Sequence, residues 1–201
     1  ILPDTWLVPR DEPRRRLLER MTAAMDEALA AAWAKRRPDL PLQSPEQALI
    51  LASLIEKETG VPDEHRLVAA VLVNRLKRGM KLQTDPTVIY ALTGGKGPLG
   101  RPLLRSDLEI DHPFNTYRID GLPPAPIANP GRKALEAAVD PADVDYLFFV
   151  ADGSGGHAFV DHIAREHTCE RVERGRHCRA DQLRLRLCAA GHFRSQQRLR
   201  L

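Results

Sequence analysis

Residues 50–90, ILASLIEKETGVPDEHRLVAAVLVNRLKRGMKLQTDPTVIY, carry the strongest signal in this chain of 201 residues. The pattern predicts a helix ending in the acids Glu56 and Glu58, a turn, and a second amphipathic helix. A polar run then follows, Gln83, Thr84, Asp85, Pro86 and Thr87. Ser44 stands where an N-cap belongs, with Pro45 at the first helical position. Gln47 is spaced to reach back as in a capping box, and Gly60 with Pro62 marks the stop.

The two acids differ in their surroundings. Helical neighbours lie three and four positions away, so Glu58 stands beside Ile55 and Leu54, whereas Glu56 stands beside Ser53 and Ala52. Glu58 is therefore on the more apolar stripe. Burial raises a carboxyl pKa, and the partial negative charge at a helix C-terminus acts in the same direction. A carboxyl raised from about 4.3 towards about 6 donates a proton near neutral pH. An acid so placed, facing a polar loop, suits general acid chemistry on sugars. Spacing alone equally allows both acids to be solvated helix-end residues, with Lys57 between them.

Outward from this core, residues 13–37 predict a long helix, since Leu17, Met21, Ala24, Met25, Ala28 and Ala32 recur at helical spacing. The helix after Asp63 runs to about Arg78, with Leu67, Val68, Val71, Leu72 and Leu76 on its apolar face, and Gly79 ends it. Residues 92–113 are rich in Gly and Pro and predict a flexible surface excursion. Their TGGKG lacks the ending and the preceding strand of a phosphate-binding loop. Residues 114–131, FNTYRIDGLPPAPIANPG, form a stiff loop with little regular structure. Asn115, Tyr117 and Asn129 within it are residue types that line sugar sites. Composition alone is also consistent with a turn-rich connector. A short helix over 130–139 precedes an apolar strand, YLFFVA at 146–151. The turn DGSGG then leads into a second strand at 157–160. Helices with one hairpin make an α+β fold rather than an alternating parallel sheet.

Composition excludes several classes. The net charge of +3 is too small to argue for nucleic acid. No apolar run reaches the roughly 18 residues of a membrane span. No signal peptide opens the chain, which begins at Ile1 rather than Met, so the expectation is a fragment with any anchor upstream. Cys169, Cys178 and Cys188 all fall near the end without CxxC spacing; His167, His177 and His192 among them match no zinc module. Free thiols and no metal are expected. Residues 161–201 hold ten Arg against five acids and no Lys, with Phe193 the only aromatic. Such a block reads as a solvated or disordered tail, and it lacks the interleaved aromatics of a nucleic-acid binder.

Four separated segments carry a family resemblance. ASLIEKETG, VLVNRLKRGMKLQTDPTVIYAL, FNTYRIDGLPPAPIANPGRKALEAA and YLFFVADGSGGHAF resemble successive signatures of the YceG-like family, the endolytic murein transglycosylases of bacteria. The likeness runs from LPDT near the start to about His167. It implies a helix-rich α+β catalytic domain over 1–168, with the catalytic Glu at the C-terminal end of a helix and a small hairpin. Residues 169–201 would be an Arg-rich tail outside it, and Glu166-His167-Thr168 departs from the family's EHN-like string.

The resemblance places the catalytic glutamate on the second acid of EKE, Glu58. The implied reaction is a lyase cleavage between N-acetylmuramic acid and N-acetylglucosamine in peptidoglycan strands. The muramyl C6 hydroxyl displaces the leaving sugar and leaves a 1,6-anhydro end, without a cofactor. One carboxyl suffices for that, whereas a hydrolase needs a second carboxylate. Asp85 and Asp120 are the obvious partners for that second role, and Asp85 before Pro86 is equally a loop-capping residue. Gln83, Thr84, Asp85, Asn115, Tyr117 and Asn129 are assigned to sugar binding; His157 either points into the cleft or is a structural hairpin residue. The family further implies an upstream anchor in the cytoplasmic membrane, a catalytic domain facing the cell exterior or periplasm, and partnership with penicillin-binding synthases. A muramidase-like hydrolase and a non-catalytic glycan-binding module stand as alternatives.

Overall fold

The computed structural model describes residues 1–153 and 155–161. Helix α1 spans Arg14–Ala34, α2 Pro45–Glu58, α3 His65–Lys77, α4 Asp85–Thr93 and α5 Arg132–Val139. Strands β1 (Phe148–Ala151) and β2 (His157–Val160) pair antiparallel, with Phe149 opposite Phe159 and Ala151 opposite His157. The architecture is α+β, as the pattern of the sequence predicts. The tail beyond residue 168, with its cysteines and the Glu166–His167–Thr168 string, lies outside the described residues.

Helix α2 is the centre of the core. Ala48, Leu51, Ala52, Ser53, Leu54 and Ile55 are buried over more than one face, because α1, α3 and α5 pack around it. Leu51, Leu54 and Ile55 are fully enclosed, each contributing about 1.5–3 kcal/mol by its burial. The tightest partner is α5, where Ala134, Ala137 and Ala138 bring the two backbones close. Ser53, a polar residue in this interior, is fully paired: its hydroxyl donates to Ile50 O at 2.7 Å and accepts from Ile127 N–H at 3.0 Å.

The N-terminal cap of α2 forms as the sequence predicts, with Ser44 Oγ accepting from Gln47 N–H at 3.4 Å. The Gln47 side chain accepts from Gln43 N–H at 2.8 Å, one residue earlier than the expected capping box. The C-terminal stop differs more. No left-handed glycine closes α2; Thr59 follows Glu58 in an extended conformation, with φ −137° and ψ 137°. A short 3-10 turn, Pro62–Glu64, then leads into α3.

Helix α4 replaces what the sequence suggests is a polar loop. Thr84 is its N-cap residue, Asp85 its first residue, and Gly94 closes it at φ 62°. Three threonines beneath it form a buried hydroxyl cluster. Thr116 Oγ1 accepts from Thr84 N–H at 3.0 Å and lies 2.8 Å from Thr87 Oγ1, which itself donates to Thr84 O at 2.7 Å. Thr116→Val leaves the Thr84 amide buried and unpaired. A loss of about 1–3 kcal/mol is expected, measured as a lower urea midpoint with an unchanged m-value.

The Gly- and Pro-rich excursion is pinned rather than loose. Arg101 grips Asp107 through two hydrogen bonds, at 2.6 and 2.9 Å, and Leu104 N–H adds a third at 2.7 Å. The Arg101 guanidinium and the Leu104 N–H hold the Asp107 carboxyl down at about 2. A two-stranded hairpin is marginal alone, and this one is tied to α3. Arg75 Nε donates to Leu147 O at 2.7 Å, and Asn74 Nδ2 donates to Val144 O and Tyr146 O at 2.8 and 3.0 Å.

Candidate active site

Glu58 is the last residue of α2. The residue keeps partial exposure, yet its carboxyl is withdrawn from water. Burial first, and the neighbouring Asp85 charge second, push its pKa up to about 8, against a smaller pull from Arg75. No hydrogen bond from the described residues fixes the carboxyl. The group is therefore protonated at neutral pH and free to donate.

Asp85 opens α4, where the N-terminal end of a helix favours a negative charge. The Tyr117 hydroxyl donates to Asp85 Oδ1 at 2.5 Å and so orients it. Burial, then the Asp85 charge, the hydrogen bond to it and Glu58, hold the Tyr117 phenol well above its ordinary pKa, so it remains a donor. Just before this pair, Gln83 adopts φ 52°. A non-glycine residue in that region stores about 1–3 kcal/mol of strain. Its N–H is held by Thr116 O at 3.1 Å, and its side chain projects from an exposed position.

The remaining predicted residues divide by exposure. Thr84 is 2% exposed and belongs to the threonine cluster. Asn115 is fully enclosed: its Nδ2 donates to Leu108 O and Ile110 O at 3.0 and 2.8 Å, and its Oδ1 accepts from Tyr117 N–H at 3.0 Å. These two therefore shape the loop from inside and present no polar atom to a sugar. Asn129 is exposed, with Oδ1 accepting from the amino group of Ile1 at 3.1 Å. Asp120 is also exposed and pairs with Lys81 at 2.8 Å.

The structure separates the two acids of EKE. Glu56 Oε2 accepts from Gly131 N–H at 2.9 Å, and Gly131 is the N-cap residue of α5. Glu56 thus secures the end of the proline-rich loop, and Glu58 alone faces the Asp85–Tyr117 pair.

Arg75 is a component the sequence reading overlooks. It is 8% exposed; Nη1 donates to Leu82 O at 2.8 Å, and the guanidinium lies 5.0 Å from the Phe148 ring centroid. Burial lowers its pKa, opposed by Tyr117 and Glu58, which it faces electrostatically. A signal was present: Arg75 continues the apolar stripe of Val68, Val71 and Leu72, where a cation has no solvent reason to stand. Among the described residues, no cluster of His, Cys, Asp and Glu is arranged to hold a metal ion.

The assembled parts are one uncharged carboxylic acid, one oriented carboxylate and one buried cation, at the meeting of two helix ends. Such a set can release one proton from a single carboxyl and take one back there. The YceG-like family model matches residues 1–171, and the chain belongs to that family. It is 46% identical over 119 residues to the endolytic murein transglycosylase of Bacillus subtilis (strain 168), covering 59% of this chain and 32% of the relative. The enzyme of the same name from Streptococcus pneumoniae serotype 2 is 31% identical over 173 residues, covering 83% of this chain and 30% of that one. The chain thus spans about a third of the length of these relatives. A crystal structure of a YceG-like protein from Listeria monocytogenes superposes with a TM-score of 0.65 at 36% identity, over 80% of this chain and 51% of that one.

Proposed function

We propose that this chain is the catalytic domain of an endolytic lytic transglycosylase, a lyase that cuts the N-acetylmuramic acid–N-acetylglucosamine bond of peptidoglycan strands. The observation that carries this is Glu58, a carboxyl withdrawn from water at the end of α2 and facing Asp85, whose pKa is pushed up to about 8, so that it is protonated at neutral pH. Glu58 gives its proton to the glycosidic oxygen as the bond to the anomeric carbon breaks. Its carboxylate then takes the proton of the muramyl C6 hydroxyl, whose oxygen closes onto that carbon. The proton balance is zero, and water is not consumed.

Asp85, aimed by Tyr117, faces the positive charge that develops at the anomeric carbon. Arg75 offsets the negative charge that Glu58 carries between its two steps. Exposed Gln83 and Asn129, with Tyr117, are the polar groups for orienting the sugar; Thr84 and Asn115 hold the loop that presents them. A hydrolytic route needs a second carboxylate to activate water or bond the sugar. Asp120 is engaged by Lys81 at the surface, which leaves Asp85 as the better placed of the two.

Family membership and the relatives' names support peptidoglycan as substrate. A site of action outside the cytoplasmic membrane, beside penicillin-binding synthases, belongs to the same proposal and rests on the chemistry of that substrate. Among the described residues no helix is long and apolar enough to cross a membrane. Mass spectrometry of digested glycan strands tests the reaction. Products ending in 1,6-anhydro-muramyl residues are expected, and reducing ends would overturn the lyase reading.

A further inference from the structure

We propose that Glu64 and His157 are a positioning pair that fixes the end of α2, and with it the direction in which Glu58 presents its carboxyl, against the β-hairpin. This rests on the reading of Glu58 as the acid. The need arises from the way α2 ends. Without a left-handed glycine, the chain leaves the helix at Thr59 in extended form, and the helical bond from Thr59 N–H to Ile55 O is long, 3.4 Å. The Thr59 side chain supplies the tether. Its hydroxyl donates to Glu64 Oε2 at 2.9 Å and accepts from Val61 N–H at 3.0 Å.

Glu64 passes that tether to the hairpin. Its Oε1 accepts from the backbone N–H of His157 at 2.7 Å, and its Oε2 lies 2.7 Å from His157 Nδ1. The two side chains are only 12% and 15% exposed. Burial works to raise the Glu64 pKa, but the His157 ring, the His157 N–H and the Thr59 hydroxyl outweigh it, so the carboxyl stays below its ordinary value. The His157 ring is itself wedged edge-on against Phe149, with centroids 5.3 Å apart. At its other end the hairpin is bonded by Arg75, which also faces Glu58.

Apolar contacts would dock a hairpin at less desolvation cost than this buried polar pair. What the pair adds is direction, because hydrogen bonds fix the residue adjoining Glu58 where apolar contact would let it slide. Neither Glu64 nor His157 needs to touch substrate, so both act through Thr59.

The test is the pH dependence of kcat and KM on glycan strands for wild type, His157→Phe and His157→Asn, with thermal melts alongside. Asp85, Arg75 and Tyr117, the groups that face Glu58, stay unchanged in all three. His157→Phe is expected to lower kcat by about tenfold to a hundredfold, with KM held within about twofold. Loosening the helix end also admits water to Glu58, so the alkaline limb of the profile moves to lower pH by about one unit. Asn places an amide N–H near the position of Nδ1 and restores most of kcat.

Wild-type kcat and limb in His157→Phe would overturn the pair, as would a loss confined to KM or an Asn variant no better than Phe. Should His157→Phe melt below assay temperature, Thr59→Val against Thr59→Ser makes the same comparison from the other side, with only Ser expected to remain active. Wild type yielding no anhydro ends would overturn the functional reading itself, a result separate from an active wild type with indifferent variants.

Discussion

Glu58→Gln is expected to remove anhydro-ended product by about a thousandfold or more and, at neutral pH, to make the domain more stable. The loss follows from the chemistry, since an amide neither donates the proton to the leaving oxygen nor recovers one from the C6 hydroxyl. The gain follows from linkage. The folded state holds the Glu58 pKa at about 8 against an ordinary 4.5. Between those values the folded chain binds a proton that the unfolded chain has released. Stability therefore falls as pH rises through that window, and Gln abolishes the fall. Each pKa unit is worth about 1.4 kcal/mol, and pH 7 lies about 2.5 units above the ordinary value, so the variant should gain on the order of 3 kcal/mol at pH 7. Urea midpoints of both proteins at pH 5 and pH 8 check this, with the difference widening towards pH 8. An equal difference at both values would mean that Glu58 ionises normally in the fold.

Such a result would show a catalytic site held at the expense of stability, a common pattern for buried acids. Much of the arrangement was legible because it is local. The Ser44 cap, the Pro45 start and the apolar stripe through Leu51, Leu54 and Ile55 are set by neighbours within one or two turns. The same stripe argument places Glu58 in the more apolar surroundings of the two acids, and Glu56 is bonded to Gly131 N–H.

The parts that escaped depend on long-range contacts. Helix α4 begins at Asp85 because Thr84 is clamped by Thr116, 32 residues away. In sequence, that start is hidden in a polar run containing a proline. Asn115 has the chemistry of a sugar ligand, but burial, which sequence does not show, turns its amide to backbone carbonyls. Gly60 looked like a helix stop, whereas the stop is the side chain of Thr59, braced by Glu64 and, through it, by a hairpin 93 residues downstream.

Asp85→Asn separates the two effects assigned to this carboxylate. Removing a negative charge near Glu58 makes its ionisation easier, so the alkaline limb of the pH–rate profile should move to lower pH by about one unit. Charge stabilisation at the anomeric carbon is lost as well, and kcat at the optimum should fall by about a hundredfold. Tyr117→Phe removes the 2.5 Å hydrogen bond but leaves the Asp85 charge in place. It should therefore keep the limb near its wild-type position while kcat drops by about tenfold through lost orientation. An unmoved limb in Asp85→Asn would mean that the two carboxyls do not sense each other. Added azide discriminates a further role. If Asp85 bonds covalently to the sugar, azide should restore turnover of Asp85→Asn and yield a glycosyl azide, moving the enzyme to the hydrolases. A lyase has its nucleophile in the substrate's own C6 hydroxyl, so azide should leave Asp85→Asn slow and its products anhydro-ended.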